Sequence, residues 1–267
     1  MKRIFFLLCA CLSAFVLHAQ EDSLRATRYV MRSVLYGAGV SNVLDTYLSP
    51  LEYKGPEVRI LRENMRMTRL MNGNVSAQNL LQAYMSYTHN PSKTGYMYTG
   101  LLNWSYALHY QFRLSEQLKL LAGPTIDLNG GFVYNTRNSN NPAQAKAYGS
   151  LGISGMAIYK FHIGNYPLVV RYQANLPLLG AMFSPEFGQS YYEMFSLGHK
   201  GKNVLFTSLP IRKVTMRVAY VCDLQQGKVN HLKYHTYSHD FMIGFVKNFY
   251  LLKGKNRITM PSNVTPY

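Results

Sequence analysis

The sequence has few cysteines and few acidic residues. Three cysteines occur in 267 residues, and two of them, Cys9 and Cys11, lie in the apolar N-terminal segment. Removal of that segment leaves only Cys222, which excludes an intramolecular disulfide, so an exported protein of this size needs another source of stability. The sequence has only 12 acidic residues, compared with 28 basic ones. Because the acidic residues are scattered, paired-carboxylate catalysis has no obvious site.

Several catalytic and binding motifs are also missing. The sequence contains no glycine-rich phosphate loop and no Gly-x-Ser-x-Gly turn. Ser238 and His239 are adjacent, but neighbours on a strand point to opposite faces and do not readily bond each other. His231, His235 and His239 have an i, i+4 spacing that suits a metal site on a helix better than one on a strand. The sequence therefore favours a non-enzymatic protein, without catalytic residues, a metal or a cofactor.

The N-terminus has the pattern of a secretory signal. Lys2 and Arg3 precede an apolar stretch from Ile4 to Leu17, and Ala19 is a small residue at a suitable cleavage position. This predicts a signal peptide over residues 1–19. An uncleaved anchoring helix and a lipoprotein signal are the alternatives. No later apolar run is long enough to span a bilayer as a helix.

What the sequence does have is long alternating segments. In Leu101–Arg113, LLNWSYALHYQFR, apolar and polar residues alternate from Leu102 onward. A period of two is typical of a β-strand with one apolar and one polar face. Clear alternation recurs in segments that begin at Leu81, Leu118, Leu151, Leu168 and Val214. Weaker strands are predicted at Val30–Val40, Val58–Thr68, Val204–Leu209 and His239–Leu251, which gives about ten in all.

Three features favour a membrane barrel over a soluble sandwich or lipocalin. The strands approach or exceed the roughly 9–11 residues needed to cross a bilayer at a tilt. The apolar face is rich in aromatic residues, and Trp104, Tyr106 and Phe132 are expected near strand ends, as in an interfacial girdle. Short connections alternate with long ones, and long outer loops are predicted at Ser41–Gly55, Asn90–Thr94, Asn135–Lys146, Pro177–Lys202 and Asp223–Ser238.

The predicted fold is all-β, an antiparallel transmembrane β-barrel of about ten strands, preceded by the signal peptide. The barrel domain is expected over residues 20–252, and a polar C-terminal tail over residues 253–267. Polar positions opposite the apolar face should then line a narrow lumen. The main expectation is a lumen filled by salt bridges, hydrogen bonds and water, and the alternative is a narrow anion-preferring path. The predicted lumen residues are Arg62, Arg66, Asn103, His109, Gln111, Arg113, Lys119, Asp127, Lys160, Arg171, Gln173, Asn175, Arg217 and Asp223.

Two of the predicted outer loops carry candidate binding residues. The stretch Tyr134–Ala147 is rich in asparagine, which favours a rigid loop, with a sugar- or phosphate-binding surface as the alternative. The stretch Ser184–Phe195 contains a tyrosine pair, which favours packing over a carbohydrate platform. The candidate surface residues are Asn135, Arg137, Asn138, Asn140, Asn141, Tyr191, Tyr192 and Glu193.

Several segments together resemble a known family. They are LHAQ, DTYLSPLEYKG, YNTRNSNNPA, PLLGAMFSPEFGQSYYEMF and SHDFMIGFVKNF. Over nearly the whole mature chain, the sequence is similar to a family of uncharacterised outer-membrane β-barrel proteins from Bacteroidota. The resemblance implies export to a Gram-negative outer membrane and a barrel, but no activity, so it transfers no catalytic residue. The polar tail that follows Phe249–Leu252 departs from the general pattern, in which an aromatic residue closes the last strand.

The predicted function is that of a structural or surface-binding outer-membrane barrel, with limited small-solute passage. The alternative is a barrel enzyme that hydrolyses lipid or peptide at its rim. The strong positive charge suggests nucleic acid in general, but an exported barrel meets phosphorylated lipid head groups first. The expected partners are outer-membrane lipid and lipopolysaccharide, the barrel-assembly machinery and a small polar or anionic ligand, without nucleic acid. The cations expected against lipopolysaccharide are Lys200, Lys202, Lys228 and Lys233.

Overall fold

The computed structural model describes residues 28–139, 142–164, 166–183, 200–211, 214–229 and 232–251. The predicted signal peptide and the whole of the predicted tail lie outside these residues. Among the described residues, no helix is long and apolar enough to cross a membrane. A 3₁₀ turn covers Leu70–Gly73. The strands are β1 (Arg28–Asp45), β2 (Ser49–Met67), β3 (Val75–His89), β4 (Tyr96–Arg113), β5 (Leu118–Asn135), β6 (Ala143–Ile163), β7 (Tyr166–Phe183), β8 (Lys200–Ile211), β9 (Val214–Val229) and β10 (Leu232–Leu251).

The ten strands form one closed antiparallel barrel. Each strand pairs with the next along the chain, and β1 pairs with β10 from Arg28↔Leu251 to Asp45↔Tyr234. Each strand therefore has a hydrogen-bonded neighbour on both sides, as a barrel wall that lies in hydrocarbon requires. The all-β antiparallel barrel predicted from the alternation is therefore confirmed.

The two faces of the sheet are inverted relative to a soluble protein. In β4, Leu102 is 59% exposed on the outside, whereas its neighbour Asn103 is fully buried inside. In β10, Phe241 is 71% exposed and Asp240 is fully buried. Polar side chains thus fill the interior and apolar side chains cover the outer wall, which is the arrangement expected in lipid.

The strands continue through much of the sequence predicted as outer loops. β1 ends at Asp45 and β2 begins at Ser49, so the expected loop Ser41–Gly55 is reduced to three residues. The expected loop Asp223–Ser238 is likewise strand on both sides of residues 230 and 231. Polar residues here continue the hydrogen-bonded ladder, for example in the pair Ser41↔Gly55, so polarity alone was a poor sign of a loop.

The aromatic residues are also distributed differently from the predicted girdle. Trp104 and Tyr106 lie in the middle of β4, while Phe132 lies near the end of β5 as expected. The described strands are 12 to 21 residues long, more than the roughly 9–11 that cross a bilayer. The barrel is therefore tall enough for both ends to project beyond a hydrocarbon core.

The interior is divided into alternating levels. We call the end that holds Arg28 and Leu251 the termini end, and the opposite end the loop end. Three clusters of buried apolar side chains lie at different heights inside the barrel. One lies near the loop end around Tyr53, one in the middle around Leu61, and one near the termini end around Met65. Two groups of buried charges separate these clusters.

Candidate functional site

Strand β2 shows the order of the lumen levels most directly. Its inward side chains occupy odd-numbered positions, because side chains alternate between the two faces of a strand. Apolar and charged residues succeed one another along this face. From the loop end to the termini end they are Tyr53, Glu57, Arg59, Leu61, Glu63 and Met65.

The first charge group, the loop-side cluster, consists of Arg59, Glu57, Asp223 and Asp240. The Arg59 guanidinium lies 2.6 Å from Glu57, 3.2 Å from Asp223 and 2.7 Å from Asp240. All four side chains are at most 1% exposed. Each N–H edge of the guanidinium therefore faces a carboxylate, and one buried cation serves three buried anions.

Neutral groups complete the surroundings of this cluster. Arg59 also donates to Gln82 at 3.0 Å, and its guanidinium carbon lies 4.3 Å from the centre of the Tyr84 ring. Ser238 donates to Glu57 at 2.8 Å. The backbone makes room as well, since a Cβ at Gly39 would come within 2.6 Å of a carboxylate oxygen of Asp240. A larger residue at this position would also meet the backbone carbonyl of His239, which is closer still, so it would push β10 and its acid away from β1.

The second charge group, the termini-side cluster, consists of Glu63, Arg171 and Arg217. Glu63 lies 2.8 Å from Arg171 and 2.6 Å from Arg217, and all three side chains are at most 3% exposed. Gln78 donates to the same carboxylate at 2.6 Å and also bonds Gln173 across the lumen at 2.9 Å. Here one buried anion serves two buried cations.

A polar network joins the loop-side cluster, through Gln82, to β4 and β5. Asn103 accepts from Gln82 at 3.0 Å and donates to Asn129 at 2.8 Å. Ser105 donates to Asp127 at short range. These bonds satisfy buried polar groups that would otherwise cost free energy on leaving water. They also link the side chains of the neighbouring strands β3, β4 and β5 on the lumen side of the wall.

A histidine–serine pair is part of the same interior. His109 and Ser154 are joined at 2.8 Å, and Ser154 donates to Asn175 at 2.7 Å. Both members of the pair are fully buried. The Nδ1 atom of His109 has no hydrogen-bond partner, so no carboxylate orients this ring as in a catalytic triad.

A third ion pair lies close to the loop end. Lys146 on β6 lies 2.7 Å from Asp45 at the end of β1, and its ammonium lies 4.2 Å from the centre of the Tyr234 ring. Lys146 and Asp45 are each 2% exposed. The lumen is therefore also occupied immediately below the loops.

Most of the predicted lumen residues do face the lumen. Those that are buried there are Asn103, His109, Gln111, Lys119, Asp127, Arg171, Gln173, Asn175, Arg217 and Asp223. Arg113 lies at the termini end of β4 and is exposed, and Lys160 is half-buried near the same end of β6. These two residues belong to the mouth of the barrel rather than to its filled interior.

Arg62 and Arg66 lie on the outer wall, contrary to the prediction. The alternation of β2 places its even-numbered residues outward, together with Val58 and Ile60. A strand assigned with the wrong phase has every side chain on the wrong face, and both faces of β2 mix charge with apolar residues. Because of the same error, the prediction omitted Arg59 and Glu63 from the lumen residues, although each is the central residue of one charge group. The outward pair Val58 and Ile60 was the signal that could have set the phase.

The predicted surface-loop residues differ in position and in exposure. Asn135 is the last residue of β5 and is buried, where it donates to the Tyr53 hydroxyl at 3.1 Å, so its assignment to an exposed surface is corrected. Arg137 is exposed and donates to Thr94 of the neighbouring turn at 3.1 Å. Asn138 is half-buried. The remaining candidates, Asn140, Asn141, Tyr191, Tyr192 and Glu193, lie outside the described residues.

The serine and histidines of β10 that were considered as catalytic or metal-binding candidates do not form a common site. Ser238 faces the lumen, whereas His239 is on the outer wall, where its ring lies 2.7 Å from the Tyr220 hydroxyl. His235 also stands on the outer side, stacked on Tyr237 at 4.3 Å between ring centres. Within the described ranges, no group of three or more His, Cys, Asp or Glu residues could hold a metal ion. His231 lies outside those ranges.

Comparison with sequence families supplies a classification. A family described as "protein of unknown function (DUF3316)" matches residues 4–256. This chain belongs to that family. The family's description records no activity. Among curated proteins, none matches the chain.

Solved structures share the fold of this family member at very low sequence identity. The outer membrane protease OmpT from Escherichia coli is 7% identical, with a TM-score of 0.52, over 86% of this chain and 99% of that one. The transport unit of the autotransporter AIDA-I from Escherichia coli is 9% identical, with a TM-score of 0.45, over 89% and 96% of the two chains. The likeness to OmpT shows the fold of an outer-membrane β-barrel, and at such identity it transfers no site residue.

Proposed function

We propose that this protein is an integral outer-membrane barrel with a closed lumen, which acts as a structural or surface-presenting element rather than as a pore. The signal peptide over residues 1–19, the Gram-negative Bacteroidota origin and the orientation with the termini end in the periplasm belong to the same proposal. The apolar outer wall supports the membrane location, because side chains such as Leu102 and Phe241 are exposed while their polar neighbours are buried.

The proposal of a closed lumen rests on one observation, the filling of the barrel interior by buried side chains. Buried side chains occupy five successive levels along the barrel axis, and two of these levels are charge groups with ion pairs of 2.6–3.2 Å. A barrel of about ten strands has an interior that side chains can largely fill. A permeating ion would have to displace Arg59 or Glu63 from fully buried partners, and leaving such partners unpaired is costly.

Limited solute passage therefore becomes the weaker part of the sequence-based prediction. Of the arginines predicted to line the lumen, Arg171 and Arg217 both bind Glu63, and the others lie on the outer wall or at the mouth of the barrel. The rim-enzyme alternative has support only in the fold shared with a protease. The described residues place Ser238 and His239 on opposite faces, and the His109–Ser154 pair is fully buried.

The partners of this proposed barrel follow from its surfaces. Lys228 and Lys233 are exposed next to the loop end, where lipopolysaccharide phosphates would lie in the proposed orientation. Membrane insertion would require the barrel-assembly machinery. A small polar or anionic ligand and the absence of nucleic-acid binding remain predictions from the sequence.

Conductance in a planar bilayer tests the closed lumen. The full mature chain, refolded and shown to be inserted by a change of gel mobility on boiling, should give no discrete current steps at neutral pH. Stable anion-preferring steps that are lost when Arg171 is replaced by alanine would overturn the closed lumen and restore a pore. Unchanged gel mobility together with a soluble periplasmic location would overturn the membrane assignment itself.

A further inference from the structure

An apolar groove crosses the outer wall between β1 and β5. Its volume is about 620 Å³. Its lining includes three small outward residues, Ala83 on β3, Gly100 on β4 and Gly130 on β5, and Leu102 of β4 pairs with both Ala83 and Gly130. The side chains that border the groove include Tyr36 and Met85, which are 60% and 61% exposed. The groove therefore has the volume and the apolar lining of a site for a hydrocarbon chain.

Four cations lie on the same outer face, on the termini-end side of this groove. Arg62 is the next outward residue after Ile60, which lines the groove. We call Arg32, Arg62, Arg66 and Lys247 the basic patch, and all four are exposed. Lys247 on β10 pairs with Arg32 on β1, and Arg32 pairs with Asn64 on β2. Since neighbouring strands are about 4.8 Å apart, these cations are close enough to share one ligand.

The basic patch is specific to one side of the barrel. Glu52, near the loop end, is the one carboxylate at an outward position among the described side chains of β1–β4 and β10. On β4 and β5 the corresponding part of the wall carries no charge. Its outward residues there are Trp104, Tyr106, Leu108, Leu128, Ile126 and Pro124. An interfacial belt shared by the whole barrel would not produce this contrast.

Cations on a lipid-facing wall need an anionic partner at the same height. A phosphate group offers charge and several acceptor oxygens, which suit the planar donors of arginine. A groove lined by apolar side chains and joined to such cations matches a molecule that carries both a phosphate and an acyl chain. The patch lies toward the termini end, away from Lys228 and Lys233 at the loop end.

We propose that the groove and the basic patch together bind an anionic glycerophospholipid of the leaflet at the termini end. One acyl chain lies over Ala83 and Gly130, and the phosphate lies among Arg62, Arg32 and Lys247. This inference rests on the membrane insertion proposed above and goes beyond it, because it assigns a selective lipid site to one side of the wall.

The single tryptophan of the chain is placed to report on this site. Trp104 on β4 pairs with Leu81, and Leu81 pairs with Arg62, so two strand spacings of about 10 Å in all separate Trp104 from the patch. The protein is incorporated into phosphatidylcholine vesicles that contain a fixed fraction of either brominated phosphatidylglycerol or brominated phosphatidylcholine. Quenching of Trp104 by the anionic lipid should be several-fold stronger than quenching by the zwitterionic one.

Matched variants separate a site from general attraction to cations. The triple variant Arg62→Gln, Arg66→Gln and Lys247→Gln should lose the preference for phosphatidylglycerol. A control triple variant at the loop end, Arg137→Gln, Lys228→Gln and Lys233→Gln, removes the same charge and should retain it.

A separate variant tests the contribution of the groove. A Cβ added at Gly130 meets no atom within 4 Å, so Gly130→Leu directs a side chain into the open space of the groove and should weaken the selective quenching while the basic patch stays intact.

The possible results distinguish this inference from the proposed function. Equal quenching of the unaltered protein by the two lipids would overturn the lipid site and leave the membrane barrel in place. Loss of the preference in both triple variants to the same degree would also overturn it. No quenching by either lipid, with Trp104 open to a water-soluble quencher, would overturn the membrane assignment and the lipid site together.

Discussion

The two charge clusters of the lumen contain buried cations and carboxylates in opposite proportions. In the loop-side cluster a single guanidinium, Arg59, faces Glu57, Asp223 and Asp240, so carboxylates exceed cations by two. In the termini-side cluster a single carboxylate, Glu63, faces Arg171 and Arg217, so cations exceed carboxylates by one. Each cluster therefore depends on one central group of the sign that is locally scarce.

The comparison teaches which residues are indispensable. Removal of one partner from a buried ion pair costs roughly 3–5 kcal/mol, because the other charge stays buried without compensation. The central groups Arg59 and Glu63 each compensate several charges at once. Peripheral acids such as Glu57 compensate a cation that has two further carboxylates. The two kinds of position should respond very differently to substitution.

The largest effect is expected for Arg59→Met. The substitution keeps an unbranched side chain of similar reach but leaves three buried carboxylates without their common cation. The free energy of unfolding should fall by about 5 kcal/mol or more, or the barrel should fail to form. Urea titration in lipid vesicles, followed by Trp104 fluorescence and gel mobility, measures the change. The control is Arg113→Met at the exposed rim, which should leave the urea midpoint nearly unchanged.

A slightly smaller effect is expected for Glu63→Gln. Two arginines rather than three acids lose their common partner, while Gln78 retains an amide to bond. The free energy of unfolding should fall by about 3–5 kcal/mol in the same titration. A urea midpoint equal to that of the unaltered protein would contradict the central role of Glu63.

The smallest effect is expected for Glu57→Gln. The variant loses one contact to Arg59, but it also removes one of three mutually repelling carboxylates and keeps the acceptor for Ser238. The free energy of unfolding should change by no more than about 1 kcal/mol. Asp240→Asn serves as the matched variant and should behave alike. A loss as large as that of Glu63→Gln would abolish the distinction between central and peripheral charges.

Most of the barrel could be predicted from local pattern, whereas the strand ends could not. The alternation in Leu101–Arg113 identified a strand with one lipid-facing side, and it placed Asn103, His109 and Gln111 inside correctly. The same logic failed for β2, because its two faces carry similar amounts of charge. It also failed at Ser41–Gly55, where polar residues extend a paired strand rather than form a loop.

The sequence by itself determined the fold class and the inverted character of the wall. Period-two alternation is a property of neighbouring residues, and it requires no knowledge of which strands meet. The tertiary structure alone decided which charges meet in the lumen, since Arg59 and Asp223 are 164 residues apart and come together only when the barrel closes. It also decided that Arg62 faces outward beside a groove whose walls come from several strands. Contacts between distant strands depend on register, and a shift of one residue reverses every face.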